Sequence, residues 1–138
     1  MIAPALILAA AGIMALLGVG HLVMLYATSL LHPRDEAVRK QLEEATMSLT
    51  GATTMQRLWV GFNASHAVGA ILFGGVFGYL AMVESGLLLD TPFLLVLGAI
   101  YIAAMLTLSR LYWFRTPSIA ITTAGCLYLA SVVLALLR

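Results

Sequence analysis

Four long runs of apolar residues alternate with short polar segments along the chain. Each run reaches the roughly 20 residues that an α-helix needs to cross the hydrocarbon of a bilayer. The runs lie at residues 5–30, 58–83, 92–114 and 118–137. The pattern therefore predicts an all-α integral membrane protein, in which residues 1–138 form a single membrane domain with a four-transmembrane-helix bundle.

The polar segment between the first two runs has a helical period of its own. Charged residues occupy the positions between its regularly spaced apolar residues. The apolar residues are Val38, Leu42, Ala45 and Leu49. This spacing predicts a short amphipathic helix over residues 34–49 that lies at the membrane surface. His32, which precedes it in the loop, is expected to be solvated.

The second apolar run carries two stripes of small residues. Gly61, Ser65 and Gly69 recur at every fourth position, and Ala70, Gly74 and Gly78 do the same. Small residues at this spacing let neighbouring helix backbones approach closely. We therefore expect this helix to pack on more than one side. The second side could contact another copy of the chain in a homo-oligomer, or a membrane protein partner.

Composition narrows the class of protein further. The chain is 62% hydrophobic and 9% charged, whereas soluble domains contain about a quarter charged residues. Membrane lipid is thus an expected partner. The net charge of +1 gives no basic surface for nucleic acid, which we exclude as a partner. The single cysteine, Cys126, excludes an internal disulfide.

Basic residues are distributed unevenly between the two sides of the predicted bundle. Six of them flank the first and third connections: Arg34, Arg39, Lys40, Arg57, Arg110 and Arg115. The opposite side has only Arg138. Because short cytoplasmic loops of membrane proteins are enriched in Lys and Arg, both termini are expected to be non-cytoplasmic. Tyr26, Trp59, Tyr112 and Trp113 would then form an aromatic belt at the cytoplasmic interface.

Polar residues inside the predicted spans concentrate in their cytoplasmic half. Ionisable groups within a membrane are candidates for a functional site by default. The candidate ligand-binding residues are His21, Asn63, His66, Thr107, Arg110 and Tyr112. The alternative is that such groups only bond neighbouring helices together, which is worth about 0.6 to 2 kcal/mol each in model systems.

The two histidines at similar depth leave a further alternative open. Imidazoles on adjacent spans suit bis-histidine haem, since His is a common axial ligand. A metal site would need a third or fourth ligand, and no Asp, Glu or second Cys lies at a matching depth, so no metal is expected. Ser65 and His66 are adjacent in sequence and would point about 100° apart on a helix, which disfavours a nucleophile–base pair.

Three segments carry a resemblance that covers nearly the whole chain. They are GHLVMLY at the end of the first span, WVGFNASHAVGAILFG in the second, and LYWFRTPSIAITTAGCLYLA from the third to the fourth. The layout resembles a group of small four-span bacterial membrane proteins of uncharacterised function. This resemblance implies a multi-pass protein of the bacterial inner membrane and brings no activity with it.

A second resemblance is to the MAPEG family of membrane glutathione transferases and eicosanoid enzymes. That family also has four spans, a cytoplasmic first loop and commonly a trimeric assembly. Of its second-span motif of Arg, Asn and Glu, only the Asn is matched here, by Asn63. His66 stands where the acid is expected, and the Arg is missing at the usual distance, since Arg57 lies six residues before Asn63. SRLYWFRTP resembles the family's arginine–tyrosine stretch, which implies cosubstrate roles for Arg110 and Tyr112.

Three functional hypotheses follow, and they differ in what should co-purify. The leading one is a non-enzymatic membrane module that binds a lipophilic small molecule or a membrane partner through the cytoplasmic-side polar cluster. The second is a small membrane enzyme, a MAPEG-like transferase, whose site on a lipophilic substrate comprises Asn63, His66, Arg110 and Tyr112. The third is a bis-histidine haem-binding membrane subunit.

The basic residues make the membrane orientation testable. A reporter fused after Arg138 that is active only outside the cytoplasm should give a signal, because the six-to-one excess of basic residues holds the first and third connections inside. A signal from a reporter that works only in the cytoplasm would contradict this orientation.

Overall fold

Long α-helices dominate the computed structural model, which describes residues 2–137. In chain order its elements are α1 (Ile2–Ala27), α2 (Glu36–Glu44), β1 (Thr46–Met47), β2 (Thr50–Thr54), α3 (Met55–Val83), α4 (Ser85–Asp90), α5 (Pro92–Tyr112) and α6 (Arg115–Leu136). By length and composition α1, α3, α5 and α6 are each able to cross a membrane. The predicted all-α membrane fold with four spanning helices is thereby confirmed. Arg138, counted above for orientation, lies outside the described residues.

The chain divides into two compact units, which are described in turn. The first unit contains the residues up to Leu17 and those from Ala70 onward. The second unit contains Gly18–Gly69. The single domain predicted over residues 1–138 stays a prediction.

One cluster of buried apolar side chains fills the first unit. It draws residues from α1, α3, α5 and α6, and also from the short α4. Its largest fully enclosed members include Ile7, Met14, Leu88, Ile121 and Tyr128. Since lipid tails are as apolar as these side chains, the cluster is stabilised by close packing more than by removal from water. The four long helices therefore form a bundle in this unit.

Aromatic rings make up the middle of that cluster. Phe73 stacks on Phe77 and on Tyr101, with ring centroids 4.5 and 4.6 Å apart respectively. Tyr128 meets Phe77 edge to face at 6.1 Å, and its hydroxyl donates a hydrogen bond of 3.0 Å to the carbonyl of Leu95. Offset stacking and edge-to-face contacts are the favoured geometries of aromatic pairs. The rings thus join α3, α5 and α6.

Glycines stand where helix backbones come closest in the first unit. A Cβ at Gly74 would lie 2.6 Å from the carbonyl oxygen of Ala11 and 2.6 Å from the Cβ of Ala15, so α3 touches α1 here. A Cβ at Gly98 would overlap the phenol of Tyr128. Gly74 belongs to the second predicted small-residue stripe, and its close approach agrees with that prediction.

The second unit is built from the loop between two spans and the helix segments beside it. Helix α2 begins after Asp35, whose carboxylate accepts a hydrogen bond of 2.8 Å from the backbone N–H of Ala37. This is the usual way in which an Asp satisfies a free N–H group at a helix start. Arg39 on α2 pairs with Glu36 at 2.6 Å and with Glu43 at 3.9 Å.

The amphipathic helix is shorter than the residues 34–49 predicted for it. It ends at Glu44, and the following residues form a small antiparallel hairpin in which Thr46 pairs with Thr54 and Met47 with Thr50. Threonine is β-branched and fits an extended strand better than a helix. The carbonyl of Ala45 accepts a bond of 2.8 Å from the N–H of Met55, which places the hairpin directly before α3.

The connection between the second and third spans is also more ordered than a simple turn. Its residues form α4, and Leu88 and Leu89 of this helix are buried in the first unit. Pro92 occupies the first turn of α5, where its missing N–H costs nothing.

Replacing Gly74 tests the close approach of α1 and α3. Gly74→Ala should destabilise the protein by about 1 to 3 kcal/mol, because the new methyl group meets backbone and Cβ atoms that have no room to move. Thermal unfolding in detergent micelles measures the change.

Gly75→Ala is the matched control, since a Cβ placed there would meet no described heavy atom within 4 Å other than its chain neighbours and the nearby backbone of its own helix. It should leave the unfolding temperature almost unchanged. Equal losses in the two variants would show that the helices do not meet at Gly74.

Candidate functional site

A hydrogen bond in the second unit joins His21 on α1 to Asn63 on α3. The Nε2 atom of His21 lies 3.0 Å from the Oδ1 atom of Asn63. The Nδ2 group of Asn63 donates a bond of 2.8 Å to the carbonyl of Trp59, one turn earlier on α3. A carbonyl only accepts, so this second bond fixes which end of the amide faces His21. His21 therefore carries its proton on Nε2 and donates it to Asn63.

His66 adds a second imidazole to this pair. Its ring centroid lies 5.8 Å from that of His21, with the two ring planes 64° apart in an edge-to-face arrangement. Asn63 and His66 are three residues apart on α3 and so lie on one face of the helix. The two histidines, which the sequence places at similar depth on adjacent spans, thus lie within reach of each other. We call His21, Asn63 and His66 the histidine cluster.

The histidine cluster lies inside the ends of two membrane-length helices. His21 is six residues before the end of α1 and Asn63 eight residues after the start of α3. At 1.5 Å of rise per residue, these positions are about 9 and 12 Å from the helix ends. Each of the three side chains is partly buried and keeps some exposed surface. The cluster thus combines membrane depth with access from outside the protein.

The other predicted site residues lie in the first unit. Arg110 donates a hydrogen bond of 3.1 Å from Nη2 to the hydroxyl of Thr122 on α6. Thr107 donates to the carbonyl of Ala103 on its own helix at 2.9 Å. The side chain of Tyr112 is 75% exposed. A shared site formed by these residues and the histidine cluster stays a prediction.

The loop of the second unit contains polar contacts that the sequence pattern did not indicate. His32 was expected to be solvated, but its side chain is partly buried and its Nδ1 atom lies 3.3 Å from the Nε2 group of Gln56. The indole N–H of Trp59 donates a bond of 3.2 Å to the carbonyl of Leu31. These contacts hold the loop against the start of α3. A pairing across 24 residues leaves no periodic signal in the sequence.

The positions of the side chains in the histidine cluster affect metal binding and haem binding in different ways. Within residues 2–137, no group of three or more His, Cys, Asp or Glu side chains is placed to hold a metal ion. Haem ligation by His21 through Nε2 would require the hydrogen bond to Asn63 to break. As the site stands, the chemistry that it offers is hydrogen bonding to a polar group.

Comparison with family models, with curated proteins and with solved structures finds no match for this chain. The class is therefore defined by the fold itself. The protein is a small multi-pass membrane protein whose α1 and α3 together carry a histidine–asparagine pair.

The bond between His21 and Asn63 is testable by a double-mutant cycle. Asn63→Leu and His21→Leu should each lower thermal stability in detergent, and the two changes should couple by about 0.6 to 2 kcal/mol, the range for hydrogen bonds between membrane helices. Ser65→Ala is the control, because that hydroxyl bonds the carbonyl of Phe62 on its own helix. Additive losses from the two Leu variants would exclude a direct bond.

Proposed function

We propose that this protein is a non-enzymatic membrane module that binds a lipophilic molecule, and that the histidine cluster holds the polar group of that molecule. The observation that carries the proposal is the meeting of two imidazoles and an amide from α1 and α3 at membrane depth. A polar group in hydrocarbon is costly unless it finds a hydrogen-bond partner. A cluster of such groups therefore suits a ligand that is apolar except at one end.

The cluster's chemistry favours a neutral carbonyl or hydroxyl group on the ligand. Imidazole rings both donate and accept hydrogen bonds in their neutral form. The amide oxygen of Asn63 accepts a hydrogen bond from His21, which favours the tautomer of His21 that carries its proton on Nε2. A ligand with a net charge would pay a larger cost on entering hydrocarbon, and neither Asn63 nor a neutral imidazole offers the opposite charge that would offset it.

The side chains of the histidine cluster are more exposed than side chains that only hold helices together. The hydroxyls of Ser131 and Tyr128 also bond neighbouring helices, and they are 0% and 1% exposed. His21, Asn63 and His66 instead keep part of their surface accessible. This difference supports a binding role rather than packing alone.

The proposal also includes the setting of the protein. In the bacterial inner membrane, with both termini non-cytoplasmic, the cluster would lie in the cytoplasmic half of the bilayer. The ligand would then enter from the cytoplasmic leaflet. A second copy of the chain or another membrane protein would be the alternative occupant of the cluster.

Two other functions remain candidates and predict different ligands. A bis-histidine haem-binding subunit is one alternative: His21 and His66 supply two imidazoles, but their rings contact each other edge to face and would have to separate for haem to lie between them. A MAPEG-like transferase acting on a lipophilic substrate would bind glutathione through Arg110 and Tyr112. A lipophilic molecule, haem and glutathione are distinguishable in one preparation.

The test is to identify what the purified protein retains. The full chain is extracted in a mild detergent, and its visible spectrum and the mass spectrum of its bound small molecules are recorded. We expect a lipophilic molecule without haem absorbance. His66→Ala should abolish its retention while the protein stays folded, because one such side chain contributes only about 1 kcal/mol to packing.

Thr123→Ala is the control for this variant. It removes a polar atom that bonds the carbonyl of Ile119 on its own helix, so retention should be unchanged. If His66→Ala unfolds the protein without changing what co-purifies, His66 is structural and the proposal fails. Haem absorbance that disappears in this variant would establish the haem-binding function instead.

A further inference from the structure

An open cavity of about 450 Å³ lies in the second unit, where α1 ends and α3 begins. The last turn of α1, the loop after it, one side of α2 and the first turn of α3 form its walls. The polar side chains that line it are Thr28, Ser29, His32, Arg39, Glu43 and Gln56. None of these residues belongs to the histidine cluster, so the cavity is a separate candidate site.

Opposite charges stand side by side in the cavity wall. Arg39 and Glu43 are one helical turn apart on α2, with the Nε and Oε1 atoms 3.9 Å apart. The Nη2 atom of Arg39 also pairs at 2.6 Å with Glu36, which does not line the cavity, so the Nη1 group is the one left for a ligand. A purely anionic ligand bound at Arg39 would be repelled by the carboxylate of Glu43, and a purely cationic one would be repelled by the guanidinium. A ligand with both charges a few ångströms apart satisfies both side chains. The wall therefore suits a zwitterion.

An unsatisfied amide indicates which zwitterion fits. The Nε2 group of Gln56 bonds His32, but its Oε1 atom is buried and has no hydrogen-bond partner among the described residues. A buried acceptor without a partner is unfavourable and is usually explained by a missing donor. A turn of this side chain toward the cavity that it lines would present the oxygen to a ligand. An ammonium group offers three N–H donors, whereas a quaternary choline group offers none.

The position of the cavity indicates where the ligand comes from. It lies at the ends of two helices of membrane length, which is the depth of the lipid headgroups. Tyr26 and Trp59, which are 67% and 48% exposed, flank the same ends. Exposed Tyr and Trp are typical of the membrane–water interface. At the membrane–water interface, the abundant zwitterion is the headgroup of a phospholipid.

We infer that the cavity binds the phosphoethanolamine headgroup of a membrane phospholipid. Arg39 and the hydroxyl of Ser29 donate hydrogen bonds to the phosphate, and Glu43 and Gln56 accept hydrogen bonds from the ammonium. The inference does not depend on the function proposed for the histidine cluster. It gives the loop between α1 and α3 a function, the recognition of one class of lipid.

Native mass spectrometry of the full chain in detergent tests this inference. Phosphatidylethanolamine and phosphatidylcholine with the same acyl chains are added at equal concentration. The protein should retain the ethanolamine lipid about tenfold better, the factor expected for a hydrogen bond to a charged group. Equal retention of the two lipids would overturn the inference.

Two variants with matched controls assign the effect to the cavity. Gln56→Met should remove the preference for ethanolamine over choline, and Arg39→Gln should weaken retention of both lipids about tenfold. Gln41→Met removes the same amide and Lys40→Gln removes the same unit of positive charge at exposed positions of α2 outside the cavity, and both should have no effect. Equal losses in the controls would place lipid recognition elsewhere.

Two further measurements separate the possible sources and sites. Glycerophosphoethanolamine, which has the same phosphodiester and ammonium but no acyl chains, should bind much more weakly than the lipid; binding of equal strength would contradict a lipid ligand. His66→Ala should leave the ethanolamine preference intact. A loss of that preference in His66→Ala would refute the separate site and would leave the function proposed for the histidine cluster standing.

Discussion

Hydrocarbon offers no hydrogen-bond partner to a polar group, and the polar side chains on the four long helices are arranged around that constraint. Thr107 and Thr123 each donate to a carbonyl one turn earlier on their own helix. These hydroxyls find their hydrogen-bond acceptor within a single helix and need none from a neighbouring helix. A polar group that cannot be satisfied in this way needs a partner on another helix or on a ligand; the buried hydroxyl of Tyr101 on α5 is an exception, with no partner among the described residues.

Two kinds of contact between helices follow from that requirement. In the first unit, Ser131 donates to the carbonyl of Ala3 at 2.7 Å and Tyr128 to that of Leu95 at 3.0 Å, and both side chains are fully buried. Such bonds fix the packing of the bundle. In the second unit, His21 and Asn63 bond each other while part of their surface stays accessible. The same physical demand thus produces closed contacts in one unit and an accessible polar cluster in the other.

The sequence predicts those features that depend on length and period. Four apolar runs are enough to predict four spans, and the similar depth of His21 and His66 in adjacent runs agrees with the short distance between their rings. In the first loop, helical and extended preferences compete. The apolar stripe through Leu49 favours a helix, but the β-branched threonines around it form a hairpin. The cavity was not predicted because it depends on how the loop folds back against α3.

The central claim is that the histidine cluster is a binding site and not only a packing contact. Nitrogen-15 NMR of the histidine rings tests it most directly, by comparing the protein in its native membrane with the protein reconstituted into one synthetic lipid. If a ligand occupies the cluster, the signals of His21 and His66 should differ between the two samples and return when the native lipophilic fraction is added back. Identical signals in both samples would contradict the claim, because a packing contact is satisfied by the protein alone.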